Sequence, residues 1–134
     1  MSFKSCIPIK KEWDIVGARQ YGRDIAKKIG FGSVDQARIA TSISELARNV
    51  YLYAKNGRIY FDILDEIDRR GIKIVAVDDG PGIDDIGKVM EDGYSTANGL
   101  GAGLPGVKRL MDYFTIESNR GKGTKVTIIK WHRP

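Results

Sequence analysis

A largely apolar run, Ile72 to Val77, broken only by Lys73, delivers two aspartates, Asp78 and Asp79, into a turn made of Gly80, Pro81 and Gly82. A structural turn needs only a polar residue and one glycine. An ionised carboxylate is a strong acceptor for an exocyclic amine, and paired glycines let the backbone approach a flat ring. A tight turn solvated by its aspartates is the alternative that these residues alone leave open. Upstream, Glu45 and Asn49 in "SELARNVYLYA" stand four residues apart and share one helical face. At about 100° per residue that face lies roughly opposite the apolar stripe of the same helix. A solvated polar pair is the ordinary outcome of such spacing. Together, however, the two supply a carboxylate base beside an amide oxygen able to ligate Mg²⁺.

A third stretch, "GLGAGLPG" from Gly99 to Gly106, leads glycine-rich backbone into a helix start. Free N–H groups and the positive end of the helix dipole would cradle phosphate there. The stretch is not a Walker A loop, because no Gly-Lys-Ser/Thr follows. It does contain a literal G-x-G-x-x-G at Gly101, Gly103 and Gly106, with Glu117 ending the next strand. A dinucleotide fold needs a strand immediately before that motif, and "DGYSTAN" is not one. A non-binding hinge is the structural alternative.

These residues require elements to hold them. "FKSCIPI" predicts a short strand, with Pro8 pointing to a sheet edge. "EWDIVGARQYGRDIAKKIG" predicts a helix with Trp13, Val16, Tyr21 and Ile25 roughly in phase and Gly30 as its stop. Asp35 to Ala54 is the clearest helix, its stripe running through Ile39, Ile43, Leu46, Val50 and Ala54. "RIYFDILDEI" and "GIKIVAVDD" read as a hairpin over "DRRG". Residues 84–103 form a long polar, glycine-rich connection, with one short helix around "IGKVMED"; such a stretch inside a small domain is usually functional. Pro105 then suits the first turn of a helix with Val107, Leu110, Met111 and Phe114 inward. "FTIESN" and "TKVTIIKWH" close the chain as a second hairpin over "RGKG". The order β-α-α-β-β-lid-α-β-β gives a two-layer α/β (α+β) sandwich: a mixed, mostly antiparallel sheet with three main helices on one face.

A length of 134 residues suits one compact domain, long enough to bury a core without staples. No apolar run approaches the roughly 20 residues of a membrane helix, and the first residues show no export signal. The single cysteine, Cys6, fits a reducing cytosol. His132 is the lone histidine, so a Cys/His metal site is excluded. The net charge of +5 comes from scattered pairs such as Lys10–Lys11 and Lys27–Lys28 without a nucleic-acid motif, which reads as a solvated surface.

Taken in order and at these intervals, the motifs resemble the GHKL ATP-binding family of gyrase B, Hsp90, histidine kinases and MutL. Glu45 with Asn49 matches its N-box, Asp78-x-Gly80-x-Gly82 its G1 box, and Gly99-x-Gly101-x-Gly103 its G2 box at the end of an ATP lid. Thr124 in "GKGT" matches the Gly-x-Gly-Thr of the final strand. The likeness is closest to the small anti-sigma-factor-type serine/threonine kinases, and there to the switch kinase of the bacterial stressosome. It is carried by "EWDIVGAR", "FGSVDQARI", "ISELARNVYLYA", "KVMEDGYST" and "GLGAGLPGVKRLMD". No histidine-bearing dimerisation helix and no second domain are visible. The expectation is therefore one Bergerat-type domain over residues 1–134 with a lid at about 84–103.

The resemblance implies roles for each residue. Asp78 accepts from the adenine amino group, Gly80 and Gly82 open room for the ring, and Thr124 supports the same edge through water. Asn49 gives an oxygen to Mg²⁺; main chain at Gly99, Gly101, Gly103 and Leu104 holds the phosphates of ATP. Glu45 is the general base for an incoming serine or threonine hydroxyl. Implied partners are STAS-domain scaffold and antagonist proteins as substrates and a downstream regulator of phosphatase type, with no nucleic acid and no membrane. Two departures stand out. Leu52 and Tyr53 occupy the place of a basic side chain one turn past the N-box, and Ala97 and Asn98 precede the G2 box. Lys88, Lys108 and Arg109 are the candidates for the γ-phosphate. The rivals are a non-catalytic ATP-binding adaptor of anti-sigma type, an ATPase without protein substrate, and a basic nucleic-acid binder.

Overall fold

The computed structural model describes residues 4–54, 56–80, 103–119 and 121–133. The strands are β1 (Lys4–Pro8), β2 (Gly57–Asp65), β3 (Arg70–Asp78), β4 (Tyr113–Asn119) and β5 (Gly123–His132). The helices are α1 (Glu12–Ile29), α2 (Ser33–Tyr53) and α3 (Gly103–Leu110). The sheet runs β1-β2-β3-β5-β4, so β5 enters between β3 and β4. Every pairing is antiparallel. The sheet expected to be mixed and mostly antiparallel is antiparallel across its five described strands, unlike the parallel sheet of a dinucleotide fold. Pro8, lacking an N–H, sits on the edge strand as expected.

Alternation in the strands turns Ile59 and Phe61 of β2, Ile72, Ile74 and Ala76 of β3, and Val126 and Ile128 of β5 into one buried layer. The α2 stripe of Ile39, Ile43, Leu46 and Val50 closes over it. Helix α1 packs in a different phase from the large apolar residues. Its buried face is Ile15, Ala18, Gly22, Ala26 and Ile29. Trp13 is 76% exposed and Val16 is also at the surface, while Tyr21 and Ile25 are half-buried. The reason is close approach: a Cβ on Gly22 would overlap Ile43 Cδ1, so small residues let α1 and α2 touch.

The ends of α1 are locally encoded. The Asp14 carboxylate accepts from the Lys10 and Lys11 N–H groups at 2.8 and 2.9 Å, occupying donors at the helix start. Gly30, at φ 115°, ends the helix left-handed and donates to Ala26 and Lys27 carbonyls. Helix α3 stops at Leu110, one residue before Met111, and Phe114 belongs to β4. Both still pack into or against the core. The short helix expected around "IGKVMED" lies outside the described residues.

Candidate functional site

Three adjacent strands end together at one corner of the sheet. Asp78 closes β3, directly across from Gly57 at the start of β2 and Thr124 near the start of β5. Thr124 in turn pairs with Ser118 of β4. Alternation with the buried residues of each strand puts Asp78, Thr124 and Ser118 on the helix-covered face. The row is therefore a carboxylate and two hydroxyls side by side on the inner surface.

Asp78 is held by the main chain. Its Oδ1 accepts from the Gly80 N–H at 2.9 Å, and the Thr124 N–H also donates to the carboxylate. Burial is the largest influence on its acidity and holds its pKa above the ordinary carboxylate value; the two N–H groups pull it down, and the charge of Asp79 pushes it up again. Asp79 fixes the turn through its own N–H, which donates to the Asn56 carbonyl at 3.0 Å.

The glycines at this corner are required by contact. A Cβ on Gly80 would stand 3.0 Å from the Tyr53 carbonyl and 3.1 Å from Ala54 Cβ, so the end of α2 rests on the turn. A Cβ on Gly57 would overlap Val50 Cγ1. Gly123 has φ +83°, and a Cβ there would overlap the Asp78 carbonyl oxygen. These contacts seat the strand ends against the C-terminal half of α2, the half that carries Asn49.

Glu45 departs from the expected solvated face. It is only 2% exposed, and Asn49 is half-buried. The sheet, α1 and α3 all pack against α2, which widens its covered sector well beyond the apolar stripe. Ser42 and Glu45 are the polar side chains in the buried set among the described residues. Ser42 is satisfied by donating to the Arg38 carbonyl at 2.9 Å. Glutamate is almost never fully buried, which sets Glu45 apart from the other acidic side chains of the described residues.

Gly103 opens α3 at φ +67°, a conformation that favours glycine. Gly103, Leu104 and Pro105 are buried as α3 lies along α2. The first N–H groups of such a helix lack intrahelical acceptors. Gly82, Gly99 and Gly101 lie outside the described residues, as do Lys88, Ala97, Asn98 and the lid apart from Gly103. Lys108 and Arg109 fall in the last turn of α3, the end away from Gly103. There they complement the helix dipole rather than its phosphate-binding end. Leu52 and Tyr53 are exposed.

The structure thus brings Asp78, Gly80 and Thr124 together against the end of α2, and sets α3, with Gly103 and Leu104, alongside that helix. Sequence reasoning missed Ser118, Gly57 and the contact made by Gly123. Counting back across the "RGKG" turn pairs Ser118 with Thr124, so that signal was present. Two hollows elsewhere contain none of these residues: one between Ser33, Thr41 and Leu110, the other between Ser5, Tyr21 and Ile63. No described helix is long and apolar enough to cross a membrane.

Comparison with known proteins follows the same geometry. Residues 34–134 match the family described as histidine kinase-, DNA gyrase B-, and HSP90-like ATPase. The chain is 61% identical to the serine/threonine-protein kinase RsbT of Bacillus subtilis, over 99% of this chain and 100% of that one. It is 31% identical to the anti-sigma F factor of Clostridium acetobutylicum, over 72% of this chain and 69% of that one. Among solved structures, the mycobacterial sensor histidine kinase MprB superposes with a TM-score of 0.57 at 14% identity, covering 98% of this chain and 99% of that one. The catalytic domain of the histidine kinase ThkA gives 0.55 at 17% identity, with 97% and 99% covered. Those likenesses bear on the fold alone. On the family match and on its full-length relative, the chain belongs to the histidine kinase-, DNA gyrase B- and HSP90-like ATPase family, beside RsbT.

Proposed function

We propose that the chain is an Mg-ATP-dependent protein-serine/threonine kinase of the cytoplasm, a single domain over residues 1–134 with its ATP lid at about 84–103. Its substrates would be STAS-domain scaffold and antagonist proteins of the bacterial stressosome. Once released from them, it would bind and activate a downstream regulator of phosphatase type. The observation that carries this reading is the 61% identity to a named serine/threonine-protein kinase along that relative's whole length.

The residues at the corner fit a purine nucleotide. An ionised carboxylate has about four lone-pair sites. Asp78 commits some of them to the Gly80 and Thr124 N–H groups, which fixes its direction and leaves acceptor capacity for an amine. In this reading Asp78 accepts from the adenine amino group, Gly80 and Gly82 make room for the ring, and Thr124 supports the same edge through water. Gly99, Gly101, Gly103 and Leu104 offer main-chain N–H groups to the phosphates. Asn49 would give Mg²⁺ one amide oxygen.

ATP with Mg²⁺ supplies the phosphoryl group and its charge neutralisation, so the protein's part is positioning and proton transfer. Glu45 is the residue assigned to that proton: its burial keeps water off the carboxylate, and it would orient and deprotonate the incoming hydroxyl. The second reading, a non-catalytic ATP-binding adaptor, draws on the anti-sigma F factor relatives. One experiment separates the two: incubation with labelled ATP, Mg²⁺ and purified STAS-domain proteins, with Glu45→Ala alongside. The kinase reading expects label on a serine or threonine, and a loss of about 10²–10⁴-fold in Glu45→Ala with nucleotide binding kept. Absence of label from the wild-type chain favours the adaptor; equal labelling by the variant removes Glu45 as base.

A further inference from the structure

Arg48 stands three residues after Glu45 and one before Asn49, so it shares a helical face with the glutamate. It is half-buried, and its Nε is shielded from solvent without a hydrogen-bond partner. None of the ion pairs among the described residues includes it. A guanidinium stays charged at every working pH, and a shielded cation without a counter-charge is costly. The other cation of α2, Arg38, is exposed and paired with Asp35 at 3.1 Å. Lys108 and Arg109 sit at the far end of α3, and Leu52 and Tyr53 bring no positive charge. Arg48 is thus the one cation of α2 within a turn of both Glu45 and Asn49.

We propose that Arg48 is a catalytic residue that binds the γ-phosphate of ATP, its guanidinium donating to the non-bridging oxygens of the group that is transferred. The proposal rests on the nucleotide site described above and adds a protein cation to it. The planar fork of an arginine matches phosphate geometry bidentately, which a lysine ammonium does not. In the transfer, the acceptor hydroxyl oxygen bonds to the γ-phosphorus, the bond from that phosphorus to the β–γ bridging oxygen breaks, and ADP leaves. The hydroxyl proton goes to Glu45. Arg48 keeps all its protons and balances charge on the moving group.

The test is calorimetric binding of ATP and of ADP, each with Mg²⁺, to the wild type, Arg48→Lys and Arg48→Met, with label transfer to a STAS-domain protein measured in parallel. Methionine retains much of the apolar stem while removing the charge. Arg48→Met should lower ATP affinity about tenfold while ADP affinity holds. Transfer should fall about 10²–10³-fold, and Arg48→Lys should recover part of each loss. A packing role would weaken ATP and ADP alike and leave their ratio fixed, which overturns the proposal. So does an unchanged ratio with a raised KM for the protein substrate, which would give Arg48 to an acidic group of that partner. Should Arg48→Met fail to fold, Arg48→Lys reads the same ratio, and equal ratios in it and the wild type overturn the bidentate contact. A wild type that binds ATP but labels nothing removes the kinase reading, while the nucleotide ratio still decides the γ-phosphate contact. A wild type that binds neither nucleotide overturns the site itself.

Discussion

Asp78 occupies an environment that opposes its own charge, and that gives the residue a pH signature. Burial raises its pKa in the folded chain, so the folded chain takes up a proton where the unfolded chain does not. Its contribution to stability is present at low pH and is lost as pH rises through the raised folded value. Nucleotide binding runs the other way, since the adenine amine needs the ionised acceptor. ATP affinity should fall on acidification, and the fall should begin above the ordinary aspartate value of about 3.9. Calorimetry across the mildly acidic range checks this, and Asp78→Asn should remove the dependence. At neutral pH the same variant exchanges an acceptor-only group for an amide and should lose about 1–3 kcal/mol of ATP binding. Unchanged affinity in Asp78→Asn would contradict the placement of the base.

Elements, rather than side chains, fix where these groups meet, and Gly123 shows how tightly. Its positive φ and the contact with the Asp78 carbonyl leave no space for a methyl group at the β3–β5 crossing. Gly123→Ala should cost at least about 2 kcal/mol in denaturant unfolding and weaken ATP binding with it. A variant of native stability would show that the strand ends tolerate displacement. The same strands were legible in the sequence, because alternation and turn residues are local signals; both hairpins and the α2 stripe emerged from pattern alone. Helix α1 was placed but misphased. Weight on Trp13 and Val16 favours large side chains, whereas the interface with α2 selects small ones, Ala18, Gly22 and Ala26. The burial of Glu45 was equally hidden, because a helical wheel treats α2 as one-sided and the packing of α1 and α3 is a tertiary fact. Motif spacing singled out Glu45, Asn49 and Asp78, and the family resemblance Thr124, without any appeal to packing; the structure sets Asp78 and Thr124 opposite one another.

At the scale of the whole molecule, the two-layer fold offers one covered sheet face, and the proposed site sits where that layer ends. A kinase with Glu45 as its proposed base should release phosphate slowly in isolation, because that carboxylate is buried away from bulk water. Steady, partner-independent phosphate release in a coupled assay would favour an ATPase instead. A nucleic-acid binder would show steep salt dependence in DNA retention, whereas this chain should show no retention. All of these outcomes depend on a purine nucleotide occupying the corner formed by β3, β5 and the end of α2. The most direct measurement is a crystal structure of the chain with a non-hydrolysable ATP analogue and Mg²⁺. The adenine amino group is expected within hydrogen-bond distance of the Asp78 carboxylate, with the phosphates toward the start of α3. An analogue bound elsewhere, or a corner filled by the chain's own side chains, would contradict it.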